Sequence, residues 1–164
     1  MIQATKPDTV GVGLSSSPMG LAAYIMEKFS TWTNPAWREL GDGGLETRTA
    51  MDRDRMLTNV MIYWVTNSIT SSMRYYKENL AKYDAEVENA QVQVPVGFTD
   101  CPHEIARASR FQLRGKYPDL VSFTSLITGG HFAAMEVPSL LASDVFQFVQ
   151  LVETRTERET KPEL

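Results

Sequence analysis

The sequence predicts an α/β fold. Three observations carry this: a first half whose apolar residues recur at helical spacing, a second half in which strand and helix alternate, and a Gly129-Gly130-His131 turn between the last strand and the last helix. Strand, helix, strand, helix implies a right-handed crossover between parallel strands. Parallel sheets are covered on both faces and are usually larger than two strands, so the second half reads as the edge of something bigger.

Residues 1–15 are rich in Gly, Thr and Val and lead into Ser16-Ser17-Pro18, where a hydroxyl cap followed by Pro announces a helix. Leu21, Tyr24, Ile25, Phe29 and Trp32 follow on one face, and Thr33-Asn34-Pro35 closes the helix because Pro disfavours helical geometry in the residue before it. Gly41-Asp42-Gly43-Gly44 is a turn. Leu57, Val60, Met61, Trp64 and Val65, continuing through Ile69 and Met73, predict one or two helices over residues 52–80. The polar run Lys82 to Asn89 is the expected boundary between subregions. Val92, Val94 and Val96 alternate as in a strand, against which Pro95 counts. A helix over residues 103–115, a second strand from Val121 to Ile127 and an amphipathic helix carrying Leu140, Leu141, Val145, Phe148, Val149 and Val152 complete the pattern. The resulting division is 1–85, 90–155 and a charged, frayed tail over 156–164.

Composition excludes several classes. An apolar fraction of 43% and a charged fraction of 22% belong to a folded globular chain. With 16 Lys and Arg against 20 Asp and Glu, the formal charge is −4, and no basic block exists to bind nucleic acid. Cys101 is the single cysteine and His103 and His131 are the only histidines, so neither an internal disulfide nor a structural zinc set is available. No run approaches the roughly 18 to 20 apolar residues of a membrane-spanning helix.

Two residues stand where chemistry is expected. His131 sits in a glycine-made turn after a strand, and loops at the carboxyl ends of strands hold the active site in open α/β sheets. Glu104, in Cys101-Pro102-His103-Glu104, follows the other strand. Alone, each has a plain reading: a histidine satisfied in its loop, and an acid in the first turn of a helix. Together they fit a general-base imidazole oriented by a carboxylate. Asp100 is the rival acid. Asp42, between glycines, superficially resembles a nucleophile turn, but no apolar strand precedes it as an elbow requires. Trp32, Trp37, Tyr63 and Trp64 read as packing between helices or, alternatively, as pocket lining.

The ordered segments Gln3-Ala4-Thr5-Lys6-Pro7-Asp8, Ser17-Pro18-Met19-Gly20-Leu21-Ala22-Ala23-Tyr24-Ile25, Glu27-Lys28-Phe29-Ser30-Thr31-Trp32-Thr33, Leu57-Thr58-Asn59-Val60-Met61 and Gly129-Gly130-His131-Phe132-Ala133-Ala134 resemble the microsomal and juvenile-hormone epoxide hydrolases, from about residue 2 to residue 152. The resemblance implies part of an α/β-hydrolase fold: helical lid over residues 1–85, and the last strands and helices of the core over 90–155. It implies that His131 is the general base activating water, that Glu104 orients it, and that Tyr76 is a lid tyrosine whose hydroxyl binds the epoxide oxygen. No metal or organic cofactor is implied. The implied partner is a small-molecule epoxide, whether a xenobiotic, a lipid epoxide or a juvenile hormone, and the implied setting is detoxification at the endoplasmic reticulum, with membrane attachment through a region preceding this one. Ser16 stands where the family has Asp.

In the family an aspartate on a strand-turn-helix elbow attacks the epoxide, and the His-activated water cleaves the resulting ester. No such elbow occurs in residues 1–164, and the family's His-Gly-x-Pro motif and second lid tyrosine are also absent. The expectation is a C-terminal piece that is inactive alone. A non-catalytic binding remnant that associates with a full-length relative is the alternative, and a different hydrolase chemistry on the same fold is a third reading.

Overall fold

Proline opens the helices at residues 7, 18 and 138, where its missing N–H costs nothing and its fixed φ suits the first turn. The computed structural model describes residues 2–45, 53–80 and 85–160, and these fall into two units. The first comprises Met1–Thr31 and Ala36–Glu88, the second Trp32–Pro35 and Asn89–Leu164.

The first unit is helical: α1 (Ile2–Thr5), α2 (Pro7–Ser15), α3 (Pro18–Thr31), α4 (Arg53–Val65), α5 (Ile69–Leu80) and the short α6 (Ala85–Asn89), whose last residue passes into the second unit. Ser17 caps α3 as expected, its Oγ accepting the Gly20 N–H at 3.0 Å. Leu21 from α3, Val60 from α4, and Ile69 and Met73 from α5 form the buried core. Tyr24, Ile25, Tyr63 and Trp64 pack around it, so Tyr63 and Trp64 are packing residues. Between α4 and α5 the chain turns through Asn67 at φ 51°, with the Ser68 N–H donating to the Tyr63 carbonyl at 3.1 Å. The turn at Asp42 is local chemistry: its Oδ1 accepts the Gly44 N–H at 3.0 Å.

Helices α1 and α2 were not legible in the sequence, because Gly11 and Gly13 disfavour a helix and no apolar period marks them. Packing against α5 overrides that propensity. An exposed ion pair adds to the contact, Arg74 Nε donating to Asp8 Oδ1 at 2.6 Å. Because Leu21 is fully buried at the meeting of three helices, Leu21→Ala is expected to cost about 2–5 kcal/mol. A lowered urea midpoint of the helical circular-dichroism signal would register the loss, and an unchanged midpoint would contradict the core assignment.

The second unit holds two parallel strands, β1 (Val96–Asp100) and β2 (Leu120–Ser125). Phe98 pairs with Phe123, their rings stacked at 5.6 Å, and Asp100 pairs with Ser125. Helix α9 (Pro138–Thr160) lies against both strands; Thr99 Oγ1 donates to Asp144 and Arg155 Nη1 to Asp119 at 2.6 Å. Two shorter helices complete the unit, α7 (Arg110–Leu113) and α8 (Ala133–Glu136).

Several boundaries differ from the sequence reading, each for a physical reason. The first strand begins at Val96: Pro95 has no N–H for a ladder, and Val92 instead donates to the Lys116 carbonyl at 2.8 Å. The second strand ends at Ser125, two residues before Ile127. The helix expected over 103–115 shrinks to α7. Glu104 Oε1 takes the Ile105 N–H at 2.7 Å, a local bond from side chain to backbone that competes with helical geometry. Helix formation restarts at Ser109, where a capping box joins its side chain and backbone to Gln112. Residues 156–160 are helical rather than frayed, braced by the Arg155–Glu159 pair at 3.0 Å; residues 161–164 lie outside the described residues, as do residues 82–84 of the expected boundary. No helix among the described residues is long and apolar enough to cross a membrane.

Candidate active site

The loops leaving the carboxyl ends of β1 and β2 are joined beyond the strands. The Leu126 N–H donates to the Asp100 carbonyl at 2.9 Å, the His103 N–H donates to the Gly129 carbonyl at 3.0 Å, and His103 and Gly130 form an isolated parallel bridge. Only glycine suits the next two positions. Gly129 has φ +107°, a conformation that side-chain-bearing residues rarely adopt. At Gly130 a Cβ would lie 2.8 Å from the Trp32 carbonyl oxygen and 3.0 Å from Thr33 Cα. The His131 N–H then donates to that same Trp32 carbonyl at 3.0 Å, which fixes the residue's backbone.

The imidazole meets Glu104, Trp32 and Phe132. Nδ1 of His131 lies 2.7 Å from Oε1 of Glu104, and the rings of Trp32 and Phe132 meet it edge-on at centroid distances of 5.1 and 5.2 Å. The His131 side chain is 37% exposed and that of Glu104 28%, so the pair is neither sealed from water nor freely solvated. With Nδ1–H given to a carboxylate, the neutral ring keeps its lone pair on Nε2, where it can accept a proton.

Of the two acids in this loop, Glu104 meets the imidazole and Asp100 does not. Asp100 is buried and gripped by Arg107, which donates from Nε at 2.9 Å and from Nη2 at 2.5 Å; Ser125 Oγ donates at 3.4 Å. The hydrogen bonds from Arg107 hold the Asp100 carboxyl below the usual carboxylate range. A depressed folded-state pKa gives stability that is present above the unfolded value of roughly 3.9 and is lost as pH falls through the folded value. Asp100→Asn is therefore expected to be less stable than the parent at pH 7, with the gap narrowing as pH drops from about 5 toward 3. Urea melts at several pH values read it, and a gap independent of pH would contradict the ion-pair account. Cys101, next in sequence, has its thiol pushed up by burial and then by the nearby Glu104, Glu136 and Asp100 carboxylates.

Tyr76 lies on α5 in the first unit, partly buried, with the Tyr75 ring edge-on at 6.4 Å. Tyr24 is close enough that, after burial, Tyr76 is the next cause of its raised phenol pKa. By spacing Trp32 is a packing or pocket-lining residue; the structure sets it against His131 and Phe132 within the second unit. Glu136 carried no signal in the sequence, yet its Oε1 accepts the Gly130 N–H at 3.2 Å. Among the described residues no three His, Cys, Asp or Glu side chains come together as a metal set.

No family model matches the chain. Among curated proteins it is 54% identical over 154 residues to epoxide hydrolase 1 of Oryctolagus cuniculus, covering 93% of this chain and 33% of that protein. It is 48% identical over 163 residues to juvenile hormone epoxide hydrolase 2 of Ctenocephalides felis, covering 98% of this chain and 35% of that protein. The chain thus spans about a third of the length of the curated relatives it matches. Among solved structures, the crystal structure of juvenile hormone epoxide hydrolase from Bombyx mori superposes with a TM-score of 0.87 at 46% identity, over 94% of this chain and 37% of that one. Helices with a small parallel sheet are what part of that α/β-hydrolase fold contains, and the chain belongs to the microsomal and juvenile-hormone epoxide hydrolase family, corresponding to its C-terminal part.

Proposed function

We propose that this chain carries the water-activating part of an epoxide hydrolase. The observation that supports it most is the 2.7 Å contact between His131 Nδ1 and Glu104 Oε1 on loops at the carboxyl ends of adjacent parallel strands. In this reading the substrate is an epoxide held as an ester on an aspartate that residues 1–164 do not supply on an elbow. His131 Nε2 takes a proton from water as the water oxygen attacks the ester carbonyl carbon. The ester C–O bond then breaks, and the departing alkoxide takes the proton from the imidazolium to give the diol. Glu104 holds the ring in the required tautomer and stabilises the imidazolium. Tyr76 donates a hydrogen bond to the epoxide oxygen as negative charge develops during ring opening.

The 164 residues alone are then expected to form no diol, since His131 has no ester to hydrolyse. A chimera in which this region replaces the matching 154 residues of the Oryctolagus cuniculus enzyme supplies what is missing. Styrene oxide and a long-chain lipid epoxide serve as substrates, with diol measured against buffer. An active chimera and an inactive isolated chain fit the proposal. His131-dependent turnover by the isolated chain, or a folded chimera without activity, would refute it. The same reading carries the endoplasmic reticulum as location and xenobiotic or lipid epoxides as substrates, supported by the resemblance to the microsomal enzymes.

A further inference from the structure

We propose that Glu136 is a positioning residue for His131, holding the backbone of Gly130, the residue before it, while Glu104 holds the ring. The proposal rests on the reading of His131 as the water-activating base. Helix α8 starts two residues after His131, and its N-cap, Phe132, makes no side-chain capping bond. Glu136, in the last position of that single turn, reaches back instead. Its Oε1 accepts the Gly130 N–H at 3.2 Å and would lie 3.1 Å from a Cβ built on Gly130. This resembles the returning glutamate of a capping box, displaced to the residue before the histidine.

Gly130 is consequently held on several sides: the Glu136 carboxylate on its N–H, the Trp32 carbonyl oxygen and Thr33 Cα where a Cβ would stand, and His103 across the isolated bridge. The latch matters because Gly129-Gly130 is an intrinsically pliable pair. Rotation there would swing the imidazole as a whole, whatever Glu104 does to the ring. A misplacement of about 1 Å in a reacting group can cost roughly 100-fold in rate. A carboxylate accepting a backbone N–H makes a charge-assisted bond, while a glutamine keeps an oxygen acceptor of the same reach. The two substitutions at this position should therefore behave differently.

The test uses the ¹⁵N-labelled full chain, which has only His103 and His131 to assign. The His131 Nδ1–H resonance reports the ring's bond to Glu104, and exchange of the Gly130 amide reports the latch. Glu136→Ala is expected to speed Gly130 exchange at least about tenfold and to broaden or abolish the Nδ1–H resonance. Glu136→Gln is expected to retain both. Glu104→Gln should alter the ring resonance and leave Gly130 protected, which separates this latch from the ring pair. An Ala variant that loses Gly130 protection but keeps the ring resonance would make Glu136 a simple helix cap and overturn the proposal. So would an Ala variant that changes neither. If the Ala variant fails to fold, the Gln variant decides: both signals retained supports the latch, and loss of the Nδ1–H resonance overturns it. None of these readings depends on turnover, so failure of the latch and failure of the epoxide hydrolase reading are distinguishable.

Discussion

His131→Gln in the chimera is expected to lower diol formation by about 10³- to 10⁴-fold, the scale on which a general base acting on a covalent intermediate is felt. The loss should fall on kcat, because the imidazole does its work after the ring has opened. Glutamine keeps a polar side chain and the backbone N–H that Trp32 accepts, so the turn built by Gly129 and Gly130 has no reason to refold. Steady-state kinetics with styrene oxide, with far-ultraviolet circular dichroism as the folding control, measures the effect. A loss below about tenfold would mean that water is activated elsewhere.

Glu104→Gln is expected to cost about 10²- to 10⁴-fold in kcat, with KM falling alongside it because the ester accumulates when its hydrolysis is slowed. The carboxylate only accepts hydrogen bonds, so it selects the tautomer with the proton on Nδ1; an amide can also donate, which stabilises the opposite tautomer and directs the lone pair away from the reacting water. It also removes the negative charge that favours the imidazolium. The partial exposure of the pair, with Glu104 at 28% and His131 at 37%, argues for the lower part of that range. Asp100→Asn is the internal comparison, because that acid is engaged by Arg107 rather than by the imidazole; its effect on kcat should be well below that of Glu104→Gln. Equal losses from the two substitutions would remove the distinction drawn between the acids.

Local signals in the sequence identified much of this. The Ser17-Pro18 start and the spacing from Leu21 to Phe29 describe α3, and the apolar residues from Leu57 to Met73 describe α4 and α5. The alternation in the second half foretold two parallel strands and put His131 and Glu104 in facing loops. What escaped was decided by contacts between residues distant in sequence. Helix α2 exists with Gly11 and Gly13 inside it because α5 packs against it. Where a helix was expected after residue 103, the Glu104 side chain bonds the Ile105 N–H, a local competition that apolar periodicity does not register. Trp32 continues the apolar face of α3 by spacing, so its partnership with His131 has no local signature. Glu136 is equally silent, since a glutamate near the start of a helix has many ordinary uses.

The most direct test of the central claim, that His131 activates the water which releases the product, is intact-protein mass spectrometry of the His131→Gln chimera after brief exposure to styrene oxide. The account predicts a stoichiometric adduct of one substrate mass, long-lived in the variant and transient in the parent, because ring opening by the aspartate proceeds while ester hydrolysis does not. An adduct that decays as fast in the variant as in the parent would contradict it, as would a folded, substrate-binding variant that never forms one.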